Sequence, residues 1–370
     1  MKKNTSKEDH ENMAAWWKLR VTRILVITLL VATFVGIPVT FMFHKSSALR
    51  LEAALVSVNS FLGVDENPEL RKILGDLLEK ASMPNKTVII TTLNQAWADD
   101  GGMLDIYLEG FRQGENIQQL LNHLVIVALD QKAYDRCLHL HPHCFMLHTH
   151  GVDFSGEKGF MTQDYVTMMW RRIKFLQSVL EMGYNFIFSD ADIVWLHNPF
   201  TQLAENTDFQ IACDRYNNAP ESLLNEPNAG FVYTCANDRT IEFYKYWYAA
   251  RERHPGKHDQ DVLSIIIREQ RFLDLGLKVR FLDTRFFSGF CQRSDDIGHI
   301  CTMHANCCTG LERKLEDLRS VLTTWNKFKS LPVEEKQRLH SNPGNMKVHW
   351  QVPNACLHSW GKGKRGKSHM

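Results

Sequence analysis

The chain has 370 residues, of which 44% are hydrophobic, 11% aromatic and 23% charged, and its formal net charge is +1. This composition is typical of a globular protein, and the length allows one large domain or two ordinary ones. The balanced charge gives no sign of the overall positive field that proteins use to bind nucleic acid. Nucleic acid is therefore not expected as a partner, and function must be sought in local groups of residues.

The first element along the chain is an uncharged, largely apolar segment at 24–43. Its length of about 20 residues suffices to cross a hydrocarbon core. Lys18, Arg20 and Arg23 precede it, so the positive-inside rule places residues 1–23 in the cytosol. A signal peptide is the competing interpretation, but its apolar core is usually shorter and ends in a small-residue cleavage site. We expect an uncleaved membrane anchor with the rest of the chain on the luminal side.

The region after the anchor carries features of a luminal protein. Nine cysteines without a repeated Cys-x-x-Cys pair favour disulfides over a zinc site, although the pairing cannot be read from the sequence. Asn85 begins an Asn-Lys-Thr glycosylation sequon, a tripeptide that also occurs by chance. We predict a polar, helical stem at 44–85, a globular domain at 86–330 and a C-terminal extension with a basic tail at 331–370.

Strand and helix patterns alternate through the globular domain. The predicted strands are 87–94, 124–129, 144–147, 184–189, 208–214, 230–234 and 277–283, and the predicted helices are 103–114, 163–182, 241–253, 262–270 and 311–328. Apolar strands separated by helices predict an α/β fold, with a mainly parallel sheet covered on both faces. Ligands of such sheets bind beyond the carboxyl ends of the strands, where Thr92, Asn94, Asp130 and Asp192 are expected.

Two carboxylates, Asp190 and Asp192, directly follow the apolar run 184–189. Carboxylates at the end of a buried strand are ligands for a hard divalent cation, which can in turn bind a diphosphate. The same string also suits a haloacid-dehalogenase-type phosphatase, whose first Asp is a nucleophile. That fold normally begins with this strand, whereas about a hundred residues of alternating strands and helices precede it here.

Arg172 falls on the apolar face of the helix 163–182. An arginine on a buried face must be paired. The first half of a crossover helix lies toward the carboxyl ends of the strands, so Arg172 is expected near Asp190. A contact to phosphate and an ordinary structural ion pair are both open.

Further candidates lie downstream. His304 could join two carboxylates around a metal, Gly310 would let backbone approach a phosphate, and Lys314 would offer it a charge. A histidine taken alone is more often a hydrogen-bonded residue than a ligand. Asp259 and Gln260 open a helix and could contact a sugar, but an N-cap is the commonest function of an Asp there.

Four motifs, at 188–196, 228–231, 258–263 and 303–314, occur in one order. This order resembles the nucleotide-diphospho-sugar transferase domain of glycosyltransferase family 77, of the plant cell-wall type, over roughly 86–329. The resemblance implies a GT-A fold, a UDP-sugar donor, Mn²⁺ (with Mg²⁺ as the alternative) and transfer with retention at the anomeric carbon. A cell-wall polysaccharide or glycoprotein acceptor and a Golgi membrane location follow from the same resemblance.

The resemblance also implies roles for individual residues. Asp190, Asp192 and His304 would be the metal ligands. The residues implied for the nucleotide and the diphosphate are Thr91, Thr92, Asn94, Arg172, Asp190, Gly310 and Lys314. Asn228, Asp259 and Gln260 would line the donor sugar, and the last two are the candidates for assisting catalysis, by front-face attack or through a covalent sugar. The interval from His304 to Lys314 is longer than the family pattern.

Three classes of function therefore remain open. A membrane-anchored glycosyltransferase accounts for the anchor, the sheet and all four motifs. A phosphatase accounts for Asp190 and Asp192 only. A catalytically silent sugar-binding relative would keep the fold without needing a metal, yet the ligands of one are present.

Overall fold

A computed structural model of the protein describes residues 64, 67–147, 154–336, 348–357 and 359. The predicted anchor at 24–43 and the basic end of the tail lie outside the described residues. Within the described ranges, no helix combines the length and the apolar character that crossing a bilayer requires.

A seven-stranded sheet forms the centre of the described region. Its strands are β1 (Thr87–Leu93), β2 (Leu124–Ala128), β3 (Cys144–Met146), β4 (Asn185–Ser189), β6 (Phe209–Arg215), β7 (Glu226–Thr234) and β8 (Val279–Phe281), in the spatial order β3-β2-β1-β4-β7-β6-β8. β7 runs antiparallel to β4 and β6, and the other strands share one direction. The predicted α/β fold with a mainly parallel sheet is confirmed.

A second, three-stranded sheet was not predicted from the sequence. It consists of β5 (Ile193–Trp195), β9 (Phe287–Gly289) and β10 (Thr302–His304), with β10 in the middle. β10 pairs antiparallel with β5, so that His304 lies opposite Ile193. Strands of three residues carry too little pattern to be recognised, and their partners lie about a hundred residues apart in the chain.

Helices cover both faces of the large sheet. They are α1 (Pro68–Ala81), α2 (Gln95–Ala98), α3 (Met103–Gln113), α4 (Gln131–Leu140), α5 (Gln163–Glu181), α6 (Asp238–Ala250), α7 (Asp259–Ile266), α8 (Gln270–Asp274) and α9 (Leu311–Lys329), with short 3₁₀ turns at Gln118–His123 and Pro199–Gln202. α1 begins at the N-cap Asn67, whose side chain accepts the backbone N–H groups of Glu69 and Leu70. Its apolar face packs into the domain, although 44–85 is predicted as a stem.

Two hydrophobic cores result from the alternation of side chains along each strand. Ile89 and Ile187 enter the first core, which also contains residues of α3, α9 and the small sheet. Val88 and Phe186 enter the second core, with residues of α1, α5, α6 and α7. Each fully buried side chain of this size contributes about 1.5–3 kcal/mol. The large sheet is therefore held between two apolar layers, and its rim is left for polar residues.

The structure joins Cys137 to Cys144, Cys291 to Cys307 and Cys308 to Cys356, and leaves Cys213, Cys235 and Cys301 unpaired. The expectation of disulfides is therefore met, and their pairing is a result of the tertiary fold. Two of the three bonds hold the segment between β10 and α9.

The start of β7 was predicted wrongly. The predicted strand begins at Gly230, whereas β7 begins at Glu226 and includes Asn228 and Ala229. Pro, Asn and Gly are poor strand formers, so local pattern argues against a strand there. Pairing with β6, with register shifts on both sides of Ala212 and Cys213, extends the strand despite its composition.

Candidate active site

Polar residues line the rim of the large sheet in an order that the strand order dictates. The ends of β1, β4 and β6 lie beside the start of the antiparallel β7, which gives the sequence Asn94, Asp190, Asn228 and Asp214 along the rim. A cleft of about 670 Å³ opens above these residues. Its position at the carboxyl ends of the parallel strands is the one expected for a ligand site in such a sheet.

Asp190, Asp192 and His304 come together in this cleft. Their ligating atoms all lie within 4.8 Å of one another, and no other group of three or more His, Cys, Asp or Glu side chains among the described residues does so. The Nε2 atom of His304 is 3.2 Å from Oδ1 of Asp192 and 4.0 Å from Oδ2 of Asp190. A turn between β4 and β5 presents both aspartates, and the pairing of β10 with Ile193 delivers the histidine.

Gly230 leaves the space that these three residues need. A Cβ atom at this position would lie 2.5 Å from Cε1 of His304, 2.7 Å from Oδ2 of Asp190 and 2.8 Å from Oδ1 of Asn228. The Gly230 carbonyl also accepts the backbone N–H of Asp190 at 2.7 Å. Two carboxylates and an imidazole are a ligand set that suits a hard divalent cation such as Mn²⁺ or Mg²⁺. Gly230 keeps the space between them free of a side chain. Gly230 was absent from the predicted site, although it stands in one of the four motifs.

The charges of the cluster are unequal. Asp192 is only 2% exposed, and Nζ of Lys314 lies 2.5 Å from its Oδ2. Burial works against ionisation, but the positive charges of Lys314 and His304 hold the pKa of Asp192 well below its usual range. Burial raises the pKa of Asp190, with Arg172 opposing this and the charge of Asp192 adding to it. The surroundings therefore favour the ionised form of Asp192 more than that of Asp190.

Arg172 is buried behind the metal cluster and is paired twice. Its Nη1 donates to Oδ1 of Asp190 at 2.7 Å, its Nη2 donates to Oδ2 of Asp259, and its guanidinium lies 4.6 Å from the centre of the Phe188 ring. The prediction that this buried arginine is paired is confirmed. Its partners are the carboxylates of Asp190 and Asp259. A contact between Arg172 and phosphate remains a prediction.

The start of α7 corrects the alternative reading of Asp259. His258 is the N-cap, since its Nδ1 accepts the backbone N–H of Asp261 at 3.2 Å, so an N-cap role for Asp259 is wrong. Asp259 is the first helical residue and is 2% exposed. Its side chain points to Arg172 because that guanidinium is the partner that a buried carboxylate requires.

Asp214 accepts hydrogen bonds from several polar residues of the cleft. It was not among the site residues predicted from the sequence. Its Oδ1 accepts from Nδ2 of Asn228 at 2.7 Å and from Nδ2 of Asn306 at 2.9 Å, and its Oδ2 accepts from Nε2 of Gln260 at 3.0 Å. Oε1 of Gln260 accepts the backbone N–H of Ala229 at 3.1 Å. The predicted donor-sugar residues Asn228 and Gln260 are thus brought together and held. Asp214 could have been predicted as a site residue, because it is the last residue of a predicted strand that ends at the same rim.

The other end of the cleft is formed by residues at the end of β1 and just after it. Thr92 and Asn94 line the cleft together with Trp97, which the sequence did not single out. Asn94 donates its amide to two carbonyls of the loop 154–161. Thr91 faces the opposite side of the sheet and does not line the cleft, because neighbouring side chains of a strand alternate.

The long interval between His304 and Lys314 is a cross-linked loop. Cys307 and Cys308 lie in this loop and form disulfides with Cys291 and Cys356, which lie outside it. The N–H of Thr309 donates to Oγ of Ser359 at 3.1 Å. Gly310 has φ +96°, a backbone conformation that favours glycine, and it precedes α9. Lys314 then reaches back to Asp192 from the first turn of α9. Gly310 and Lys314 both line the cleft.

The fold is a mainly parallel α/β sheet whose rim carries an Asp-Asp-His cluster with the geometry of a metal site. Comparison with known proteins identifies the class of protein. Residues 119–318 match the family model of nucleotide-diphospho-sugar transferases. The chain belongs to this family, and the resemblance to the plant cell-wall transferases of glycosyltransferase family 77 is confirmed.

Relatives are found in Arabidopsis thaliana. Two uncharacterized proteins are 46% identical over 290 residues (78% of this chain and 75% of the relative) and 43% identical over 269 residues (71% and 80%). UDP-D-xylose:L-fucose alpha-1,3-D-xylosyltransferase 3 is 24% identical over 219 residues (57% and 55%). The crystal structure of mouse xyloside xylosyltransferase 1 covers 60% of this chain and 98% of its own at 12% identity, and its TM-score of 0.37 is too low to bear on the site.

Proposed function

We propose that the protein is a glycosyltransferase of the GT-A type that transfers a sugar from a UDP-sugar to a cell-wall polysaccharide or glycoprotein acceptor. The observation that carries this proposal is the cluster of Asp190, Asp192 and His304 at the sheet rim, with Lys314 beside it. Membership in the nucleotide-diphospho-sugar transferase family supports the donor class. A relative named for UDP-D-xylose supports UDP as the nucleotide.

The metal that we propose is Mn²⁺, with Mg²⁺ as the alternative, held by Asp190, Asp192 and His304. When bound, it would offset the negative charge that develops on the departing UDP. The chain itself adds two sources of positive potential to the same place. Lys314 supplies an ammonium group, and Gly310 gives the N-terminal, positive end of the α9 dipole no N-cap side chain.

At the sugar end, we propose that Asn228 and Gln260 contact the hydroxyl groups of the donor. Asp214 supports this role because it fixes both side-chain amides through hydrogen bonds. Asp259 is buried and already paired with Arg172, which makes it a poor nucleophile. We therefore propose that Asp259 positions Arg172, and that a retaining transfer proceeds by front-face attack without a covalent sugar on Asp259.

For the cellular location, we propose a single-pass type II protein of the Golgi membrane with a luminal catalytic domain. The predicted anchor at 24–43 motivates this proposal. The three disulfides among the described residues support an oxidising compartment. Asn85 is exposed in the turn before β1, as a glycosylated asparagine must be.

The deciding experiment measures UDP release by the purified protein over a panel of UDP-sugars, with Mn²⁺, with Mg²⁺ and with EDTA. We expect release that requires the metal. Asp192→Ala should weaken metal-dependent UDP binding at least 100-fold in calorimetry, because the removed carboxylate is both a ligand and the partner of Lys314. Near-ultraviolet circular dichroism should remain unchanged.

Asp238→Ala is the matched control, since Asp238 is an exposed aspartate in the first turn of α6. UDP binding by Asp192→Ala equal to that of Asp238→Ala would refute the site. Phosphate release from simple esters, unaffected by UDP, would support the phosphatase alternative instead. UDP-sugar binding without any turnover would favour a catalytically silent relative.

A further inference from the structure

An exposed aromatic side chain stands in the wall of the cleft. Phe160 lines the cleft and is 50% exposed, although a side chain of this type is usually buried. A turn holds it there, in which the N–H of Thr162 donates to the carbonyl of Gly159 at 3.0 Å. Met161, inside this turn, has φ +66°, which is uncommon for a residue with a side chain. The backbone thus presents Phe160 in a defined place.

Two other rings hold the plane of Phe160. Its centroid lies 5.3 Å from that of Tyr165 and 5.6 Å from that of His258, with interplanar angles of 62° in both cases. His258 is the N-cap of α7 and is 8% exposed, and Tyr165 belongs to the first turn of α5. Edge-to-face contacts of this kind are directional. Phe160 is consequently oriented by its neighbours while half of its surface stays accessible.

The ring of Phe160 contacts the start of the element that carries two predicted donor-sugar residues. His258 directly precedes Asp259 and Gln260, which lie toward the donor-sugar end of the rim. Thr92 near the end of β1, and Asn94 and Trp97 after it, line the cleft on the side of β4 opposite to β7.

Hydrogen bonds anchor the loop that carries Phe160 to Asn94 and to the start of α9. Nδ2 of Asn94 donates to the carbonyls of Phe154 and Gly156 at 2.8 and 2.9 Å, and Oε1 of Glu157 accepts the N–H of Leu311 at 3.0 Å. The ring is thus part of an anchored wall.

We propose that Phe160, oriented by Tyr165 and His258, is the stacking platform for a sugar ring of the acceptor. This inference rests on the proposed glycosyltransferase function. One face of a pyranose or furanose carries C–H groups of weak positive charge, which pack against the negative face of an aromatic ring. Its hydroxyl groups need polar neighbours, and Lys158 and Asp261 line the same cleft. A lipid or an apolar peptide would not use such charged neighbours.

The test is equilibrium binding of methyl glycosides of L-fucose, L-arabinose and D-galactose to the full-length protein, in the presence of UDP and Mg²⁺. Saturation-transfer NMR gives the affinity, and calorimetry gives the affinity for UDP. We expect Phe160→Ala to weaken glycoside binding at least tenfold and to leave UDP binding within twofold. Phe160→Tyr keeps a ring of the same shape and should bind within threefold of the unmodified chain.

Leu273→Ala is the matched control, because Leu273 is 49% exposed on α8 and does not line the cleft. Absence of glycoside binding by the unmodified chain, or equal binding by Phe160→Ala and Leu273→Ala, would overturn the stacking role. A loss of UDP binding in Phe160→Ala would assign the ring to the nucleotide instead. Absence of metal-dependent UDP binding by the unmodified chain would contradict the proposed function itself, which separates the two failures.

Discussion

The two walls of the cleft are held in different ways. The α9 wall, which we define as His304, the loop 305–310 and Lys314, is held by the disulfides Cys291–Cys307 and Cys308–Cys356. The α5 wall, defined as Tyr165, Arg172, His258 and Asp259, contains no disulfide and is built on the first halves of α5 and α7. One wall depends on covalent links, and the other depends on helices and a buried ion pair.

The difference follows from local structure. The loop 305–310 has no regular hydrogen-bond ladder, so its conformation must be restricted by other means. A disulfide restricts the unfolded chain as well as the folded one, which favours the native loop. Beyond the loop, Asp317 of α9 accepts the N–H groups of Asn354, Ala355 and Cys356 and thereby fixes the distal end of one link. The α5 wall needs no such link, because its residues lie on helices packed into the second core.

The largest effect is expected from removing the cation of the α5 wall. Arg172→Met keeps much of the side-chain volume but leaves the carboxylates of Asp190 and Asp259 without their partner. Breaking a buried ion pair on one side costs about 3–5 kcal/mol. Chemical denaturation followed by tryptophan fluorescence should show this loss in the free energy of unfolding. Lys174→Met, on the same helix, removes an equal charge and should change stability by less than about 1 kcal/mol.

An Arg172→Met variant as stable as Lys174→Met would mean that the buried charges do not hold the α5 wall. A stable variant that no longer binds UDP would instead favour the phosphate contact predicted for Arg172.

A somewhat smaller effect is expected from opening the α9 wall. The double variant Cys308→Ser with Cys356→Ser removes a link that spans 48 residues, and the loss of stability should be about 2–4 kcal/mol. Metal-dependent UDP binding should weaken too, since the loop between His304 and Lys314 loses an anchor. Thermal unfolding and calorimetry measure the two effects.

The control for this prediction is the pair Cys137→Ser with Cys144→Ser, whose link spans only 7 residues and lies away from the cleft. Its loss should cost about 2 kcal/mol and leave UDP binding unchanged. Equal UDP affinity in both double variants would show that the α9 wall keeps its shape without the disulfide.

The smallest effect on stability is expected from a substitution of Gly230, which lies between the two walls. This substitution should still weaken metal binding at the site. Gly230→Ala places a methyl group where His304 and Asp190 approach, and these side chains must move apart. Metal-dependent UDP affinity should fall at least tenfold, about 1.4 kcal/mol. Gly75→Ala is the control, because its added carbon meets only the flexible end of Met182. An unchanged metal titration of Gly230→Ala would show that the cluster tolerates the methyl group.

Some of the site could be predicted because it depends on local pattern. The apolar run before Asp190 predicts a buried strand, and a carboxylate at its end must lie at the sheet rim. Arg172 could be placed by helical period, because a residue within an apolar face has to be buried. Asp214 and Gly230 were missed, although both lie at ends of predicted strands, since their importance lies in contacts with residues distant in the chain.

The residue pattern alone was therefore enough to predict an α/β sheet and a ligand site at its rim, since both depend on the periodicity of strands and helices. The order of the motifs was enough for the resemblance to the family, which the family model confirms. The disulfide pairing, the pairing of β10 with β5 that brings His304 to Asp192, and the hydrogen bonds to Asp214 were decided by the tertiary structure. They join segments separated by about 14 to 110 residues. Contacts over such separations form only when the two cores close around the sheet, and no local signal specifies them.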